Sequence, residues 1–223
     1  MSIINIPSNS LFIGPTKSGK TYSFKYIFKK VADKFSYGIL ICPTSNLNFD
    51  YSFMPSEYVH EEFNEDIIKN LIMIQEKKVK DAMLKYGEKN YEKHVPHSFI
   101  ILDDSIGLID FQHSIFNSLF SKSRHLFISV FVLIQHINAV SPCMRVNCLY
   151  VAITTITDNN IDTLYKMVPG FKSKRELKKF IDDNCQDYKL MFVDKEDPYK
   201  KNKISILKFP KKKPNFQLIF SKS

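Results

Sequence analysis

Eight residues, Gly14-Pro15-Thr16-Lys17-Ser18-Gly19-Lys20-Thr21, restrict the fold of this chain more than any other stretch of it. They fit the spacing G-x-x-x-x-G-K-[ST] at every fixed position. Glycines let a backbone close around an anion so that successive N–H groups point inward, and a helix that starts there adds the positive end of its dipole. Such a loop needs a strand before it and a helix after it. Ser10–Ile13 is a short apolar run, and Lys20–Ala32 has helical spacing. The expected ligands are therefore ATP and Mg2+, with Lys20 reaching the β- and γ-phosphates and the Thr21 hydroxyl on the metal.

A loop of this kind implies a sheet, and the rest of the chain can supply it. Tyr37–Cys42 reads as a buried second strand stopped by Pro43, Ser98–Leu102 as a third, Leu126–Ile134 as a fourth and Cys148–Thr154 as a fifth. Residues 43–63 read as loop. A helix capped by Asn64 carries Glu65 and Asp66 in its first turn and runs to near Tyr86, with Gly87 ending it. Further helices are predicted at Phe111–Phe120, Asn159–Met167 and Ser173–Asn184, the last opened by a capping box of Ser173 with Glu176. Strands separated by helices need crossover connections, so the expected class is α/β with a mostly parallel sheet. The strands are continuously apolar, as they are when helices cover both faces. Tyr188–Val193 and Ile204–Phe209 alternate and are expected to pair as a C-terminal β-hairpin. The expected organisation is an ATPase domain over 1–194 and a basic hairpin strand and tail over 195–223, either part of that domain or flexible.

Two strand ends carry polar groups. Phe99-Ile100-Ile101-Leu102-Asp103-Asp104 ends in paired carboxylates, and ligands bind at the carboxyl edge of parallel sheets. Asp103 is the candidate for the magnesium shell and Asp104 for polarising an attacking water. The alternative is a pair of caps for the next turn. Asp104 is one methylene shorter than glutamate, which makes the base role the less secure of the two. The fourth strand runs into Gln135, a candidate hydrogen-bond partner of the γ-phosphate or the water; the alternative is a solvated strand end. His136 is assigned to its local loop.

Composition excludes some classes. The four cysteines, Cys42, Cys143, Cys148 and Cys185, form no C-x-x-C pair and are read as reduced, buried thiols. No secretory-type leader pattern opens the sequence, and Phe127–Ile134, its longest apolar run, is strand-sized. A soluble, non-secreted protein with no membrane partner is expected. The net charge of +9 is concentrated: beyond Asp194 nine lysines oppose Glu196 and Asp197, a balance of +7. With Tyr199, Phe209 and Phe216 interleaved, that tail suits DNA phosphates or a protein partner, and equally a solvated hairpin.

Together, the phosphate loop, the Ile-Ile-Leu-Asp-Asp strand, Arg124-His125-Leu126-Phe127-Ile128-Ser129 leading to Gln135, and Met144-Arg145-Val146-Asn147 resemble the poxvirus-type viral DNA-packaging ATPases of the FtsK–HerA branch of P-loop ATPases. The resemblance covers about residues 8–155; residues 156–223 match only loosely. It implies a RecA-like sheet with core order 5-1-4-3-2, a homo-oligomeric ring, and pumping of double-stranded DNA into a capsid. The site of action would be the virion or the cytoplasm of the infected cell.

Ring ATPases often complete each site with a neighbour's arginine, which neutralises charge developing in the transition state. Among 32 basic residues only Arg124, Arg145 and Arg175 are arginines, and arginine offers bidentate phosphate contact that lysine cannot. Arg124 is the first candidate for such a finger and Arg145 the second, with a structural ion pair or helix-end contact the alternative; Arg175 is read as surface. Two rival functions stay open at this level, a nucleotide or nucleoside kinase and a nucleotide-gated scaffold that is not a motor.

Overall fold

The fold follows from how each central strand divides its side chains. The structure, a computed structural model, describes residues 3–45, 50–103, 109–196, 199 and 203–220. In β1 (Asn9–Ile13), Leu11 and Ile13 enter the core on one face and Phe12 on the other. β4 (His97–Asp103) sends Ile100 and Leu102 one way and Phe99 and Ile101 the other. In β5 (Ile128–Ile134) the same alternation separates Val130, Val132 and Ile134 from Phe131 and Leu133. Strands buried on both faces need cover on both, and the chain provides it.

One eight-stranded sheet results. With β2 (Phe35–Ile41), β3 (Val59–His60), β6 (Tyr150–Ile153), β7 (Lys189–Asp194) and β8 (Ile204–Lys208) the order is β3-β2-β4-β5-β1-β6-β7-β8. The first six positions pair in parallel, including Phe12 with Leu133 and Ala152 on its two sides. β7 and β8 are antiparallel, so the expected hairpin closes one end of the sheet. The segment β6-β1-β5-β4-β2 is the expected core order.

On one face α1 (Lys20–Lys29) packs Phe24, Ile27 and Phe28 among phenylalanines. Tyr51, Phe53, Phe209 and Leu218 complete that side. On the other face lie α2 (Glu65–Tyr86), α3 (Ser114–Lys122), α4 (Pro142–Asn147), α5 (Asp158–Met167) and α6 (Lys174–Asn184), which contribute Leu71, Leu119, Met144, Leu164 and Leu177 among others. Among the described residues no helix is long and apolar enough to cross a membrane.

The caps of α2 lie where expected. The Asn64 side chain accepts from the Asp66 N–H, and Gly87 takes φ +77° at the other end. At α6, Ser173 accepts from the Glu176 N–H, while the Glu176 carboxylate takes the Lys172 N–H, one residue further back than a capping box.

Several boundaries differ from the sequence reading. β5 starts at Ile128, not Leu126, because Ser123 to Phe127 continue as turns and Phe127 takes φ 58°. α3 starts at Ser114, not Phe111, because Asp110 and His113 each accept a backbone N–H two residues on and delay the helix. Residues 43–63 are not all loop: β3 adds an edge strand beside β2, and Tyr51, Phe53 and Met54 are buried. Helix α4 was not expected.

Candidate nucleotide-binding site

β1 and β5 end side by side, and the Gly14 N–H donates to the Ile134 carbonyl at 3.1 Å where the phosphate loop leaves the sheet. A side chain at Gly14 would not fit. Its Cβ would lie 2.0 Å from Thr154 Oγ1 and 2.5 Å from Ser18 Oγ. Lys17 (φ 64°) and Gly19 (φ 86°) turn the backbone through the left-handed region, and Gly19 leads directly into α1. The residue count from Gly14 to Thr21 is thus fixed by a close approach at one end and a left-handed cap at the other.

Thr154, at the carboxyl end of β6, braces the loop. Its hydroxyl donates to the Ile13 carbonyl at 3.3 Å, which leaves Ser18 Oγ as donor in the 2.7 Å Ser18–Thr154 contact. Lys20 is buried, with Nζ 3.4 Å from the Gly14 carbonyl, so its charge sits inside the loop. Thr21 Oγ1 donates to Asp103 Oδ2 at 3.2 Å. Asp103 is 4% exposed, and the same oxygen also accepts from the Tyr51 hydroxyl. Burial, and then the adjacent Asp103 charge, push the Tyr51 phenol well above its ordinary value, so it stays a donor.

The fit to a magnesium nucleotide can be judged from these groups. The glycine cradle excludes a Cβ, a buried ammonium lies within it, and a hydroxyl and a carboxylate converge beneath it. That donor set is hard oxygen suited to Mg2+, and the N–H groups with Lys20 suit phosphate. The loop opens into a cleft of about 800 Å³. Its walls are residues 15–23, Asp103, Thr154 and Thr155 on one side, and residues 185–189, Asp50 and Lys213 around the rest. Asp50 pairs with Lys25 at 3.2 Å, and Lys213 Nζ lies 3.9 Å from the same carboxylate.

The structure brings Gly14, Pro15, Thr16, Lys17, Ser18, Gly19, Lys20, Thr21 and Asp103 together. Asp104 lies outside the described residues. Gln135 follows β5 directly, next to the loop entrance, and its carbonyl accepts from Asn160 Nδ2 at 2.9 Å. Arg124 is exposed in the turn before β5, at the edge of the sheet opposite the phosphate loop. Arg145 is half-buried, its guanidinium donating to the carbonyls of Ile137 and Val140. Arg175 is exposed.

Tyr51, Thr154, Tyr188 and Lys213 are site residues that the sequence reading missed. Only Thr154 had a local signal, as the polar end of a strand expected beside the first.

Comparison with known proteins adds a family. A family model described as Poxvirus A32 protein matches residues 1–196. The uncharacterized protein 075L of Invertebrate iridescent virus 6 is 26% identical over 195 residues, 84% of this chain and 70% of that protein. The genome packaging NTPase B204 from Sulfolobus turreted icosahedral virus 2, solved in complex with ATP-gammaS, is similar with TM-score 0.60 at 16% identity, covering 92% of this chain and 98% of that one. The pCW3 conjugation coupling protein TcpA, in a monomer form with ATPgS, gives TM-score 0.62 at 17% identity over 85% of this chain and 58% of that one. The fold is that of the P-loop NTPases.

Proposed function

Because the chain belongs to the poxvirus A32 protein family, we propose that it hydrolyses ATP and moves double-stranded DNA, packaging a viral genome into a capsid from a homo-oligomeric ring. The observation that carries this reading is the convergence of Thr21 Oγ1 and Asp103 Oδ2, 3.2 Å apart, beneath a glycine cradle at the carboxyl edge of a parallel sheet. The names of B204 and TcpA, a packaging NTPase and a conjugation coupling protein, support a DNA-handling role. It would act in the virion or the cytoplasm of the infected cell, with capsid proteins as further partners.

Each residue then has a task. The loop N–H groups and Lys20 hold the β- and γ-phosphates. Thr21 and Asp103 hold Mg2+, which neutralises phosphate charge when bound. Asp104 orients and polarises the attacking water, Gln135 senses the γ-phosphate or that water, and Arg124 of a neighbouring subunit stabilises the charge that develops. Arg145 is the second candidate for that last role.

Lys20→Ala should abolish ATP binding, and Asp104→Asn should keep binding while abolishing turnover. Phosphate release should rise on adding duplex DNA. Phosphate recovered on an acceptor rather than in solution would mean a kinase, and turnover indifferent to DNA would remove the motor. For the finger, mixed assemblies of Arg124→Ala and Lys20→Ala subunits should recover activity that neither has alone. Recovery only with Arg145→Ala would transfer the role.

A further inference from the structure

One wall of the nucleotide cleft carries an aromatic ring on strained backbone. Between α6 and β7 the Lys189 N–H donates to the Gln186 carbonyl at 3.1 Å, and the two residues between, Asp187 and Tyr188, have φ 52° and 64°. A four-residue turn closed this way with both central φ positive is of type I′, where Asn-Gly and Asp-Gly are favoured. Asp187 fits that preference. Tyr188 occupies the position that suits glycine, and a bulky residue there is a true outlier. Left-handed backbone is unfavourable for residues other than glycine, because the Cβ crowds the following carbonyl oxygen. Strain of this kind gathers at ligand sites and persists where surroundings hold it.

The surroundings do hold it. The Tyr188 carbonyl accepts from the Phe209 N–H at 2.9 Å, where β8 ends. The Tyr188 ring meets Tyr22 edge-on, with centroids 5.2 Å apart. Tyr22 is itself fixed, its hydroxyl donating to the carbonyls of Pro210 and Lys212. Despite this Tyr188 remains 45% exposed. Tyr22 follows Thr21 in sequence, and both tyrosines line the same cleft of about 800 Å³ as the phosphate loop. A nucleotide whose phosphates lay in the loop would have its nucleoside in that cleft.

We propose that Tyr188, backed by Tyr22, is the stacking platform for the base of the bound nucleotide. The proposal rests on the nucleotide-binding reading above. Stacking tolerates any base, because every base has a π-face, so this platform adds affinity with little discrimination between ATP and GTP. A stacked base contributes about 1–3 kcal/mol, which corresponds to a 5- to 150-fold change in affinity.

Titration calorimetry with magnesium ADP and with magnesium tripolyphosphate, which has no base, separates the parts. Tyr188→Gly keeps the turn and relieves its strain, so the melting temperature should hold within a few degrees. ADP binding should weaken 5- to 150-fold and tripolyphosphate binding should not change. Tyr188→Phe should retain ADP binding. Lys20→Ala should lose both ligands. If wild-type protein binds both ligands and Tyr188→Gly weakens both equally, or neither, the platform is overturned and the nucleotide reading stands. If wild type binds neither ligand, the nucleotide reading fails and the platform fails with it.

Discussion

The two faces of the sheet are closed in different ways. On the face that carries α2 to α6, five helices lay mostly aliphatic side chains such as Ile68, Leu71, Val79, Leu119, Leu164 and Leu177 over the strands. On the opposite face α1 is the one long helix among the described residues, and rings do most of the filling. Phe28 lies within 6.2 Å of Phe24, Phe35, Phe53, Phe99, Phe131 and Phe216, centroid to centroid. A strap formed by residues 209–218 crosses α1: Tyr22 and Tyr26 donate to its carbonyls, and Lys29 Nζ donates to the Asn215 carbonyl at 2.8 Å. Load on the aliphatic face is spread over many small contacts. On the aromatic face it rests on a few rings around the helix whose first residue, Lys20, belongs to the phosphate loop. Loosening that face should therefore be felt by a nucleotide, and loosening the other beneath α2, away from the cleft, should not.

The sharpest test is a pair of truncations. Phe28→Ala should cost about 3–5 kcal/mol, and Leu71→Ala about 2–5 kcal/mol. At a temperature where both remain folded, Phe28→Ala should also weaken binding of an ATP analogue, while Leu71→Ala should leave it unchanged. Equal losses of affinity in the two variants would erase the distinction between the faces.

A smaller effect is expected from ending the chain after Phe209. This removes Leu218, whose burial contributes about 1.5–3 kcal/mol, and the carbonyls that hold Tyr22 and Tyr26. The denaturant midpoint should fall and amide exchange in α1 should quicken. Exchange that quickens in α2 as much as in α1 would mean that the strap stabilises the whole domain and not its helix.

The smallest change is Tyr51→Phe. It removes one donor from the buried Asp103 carboxylate, and hydrogen bonds to charged groups contribute about 1.5–3 kcal/mol. Stability should fall without nucleotide, and magnesium ADP should recover part of the loss, read as a larger ligand-induced rise in melting temperature than in wild type. A rise no larger than in wild type would separate Tyr51 from the proposed magnesium site.

What the sequence disclosed of all this follows from locality. Gly14–Thr21 is one continuous segment whose turn geometry lies in its own backbone, so spacing alone points to it. Asn64 and Gly87 act on their own helix ends and were equally plain. Tyr51 escaped because residues 43–63 have no period, and its role comes from meeting Asp103 across the fold. The Tyr22–Tyr188 contact joins a helix to a turn far along the chain, and nothing near either residue announces it. Helix α4 has six residues, too few to display a repeat, although Ser141 before Pro142 was a readable start signal. The strand expected from Leu126 was lengthened by apolar composition, which cannot register the positive φ of Phe127.

The position of β1 between β5 and β6 has a consequence for how the molecule is made. Ser10 finds its neighbours at Phe131 and Tyr150, so on the ribosome β1 waits unpaired until the chain has been synthesised well past both. At about 5–20 residues per second that is a delay of roughly 7–30 seconds, during which an apolar strand with two open edges is exposed. Pairing of such high sequence separation is intrinsically slow and leaves nascent chains vulnerable to association. Newly made protein should accordingly depend on chaperones, and at high expression rates aggregation should compete with closure of the sheet.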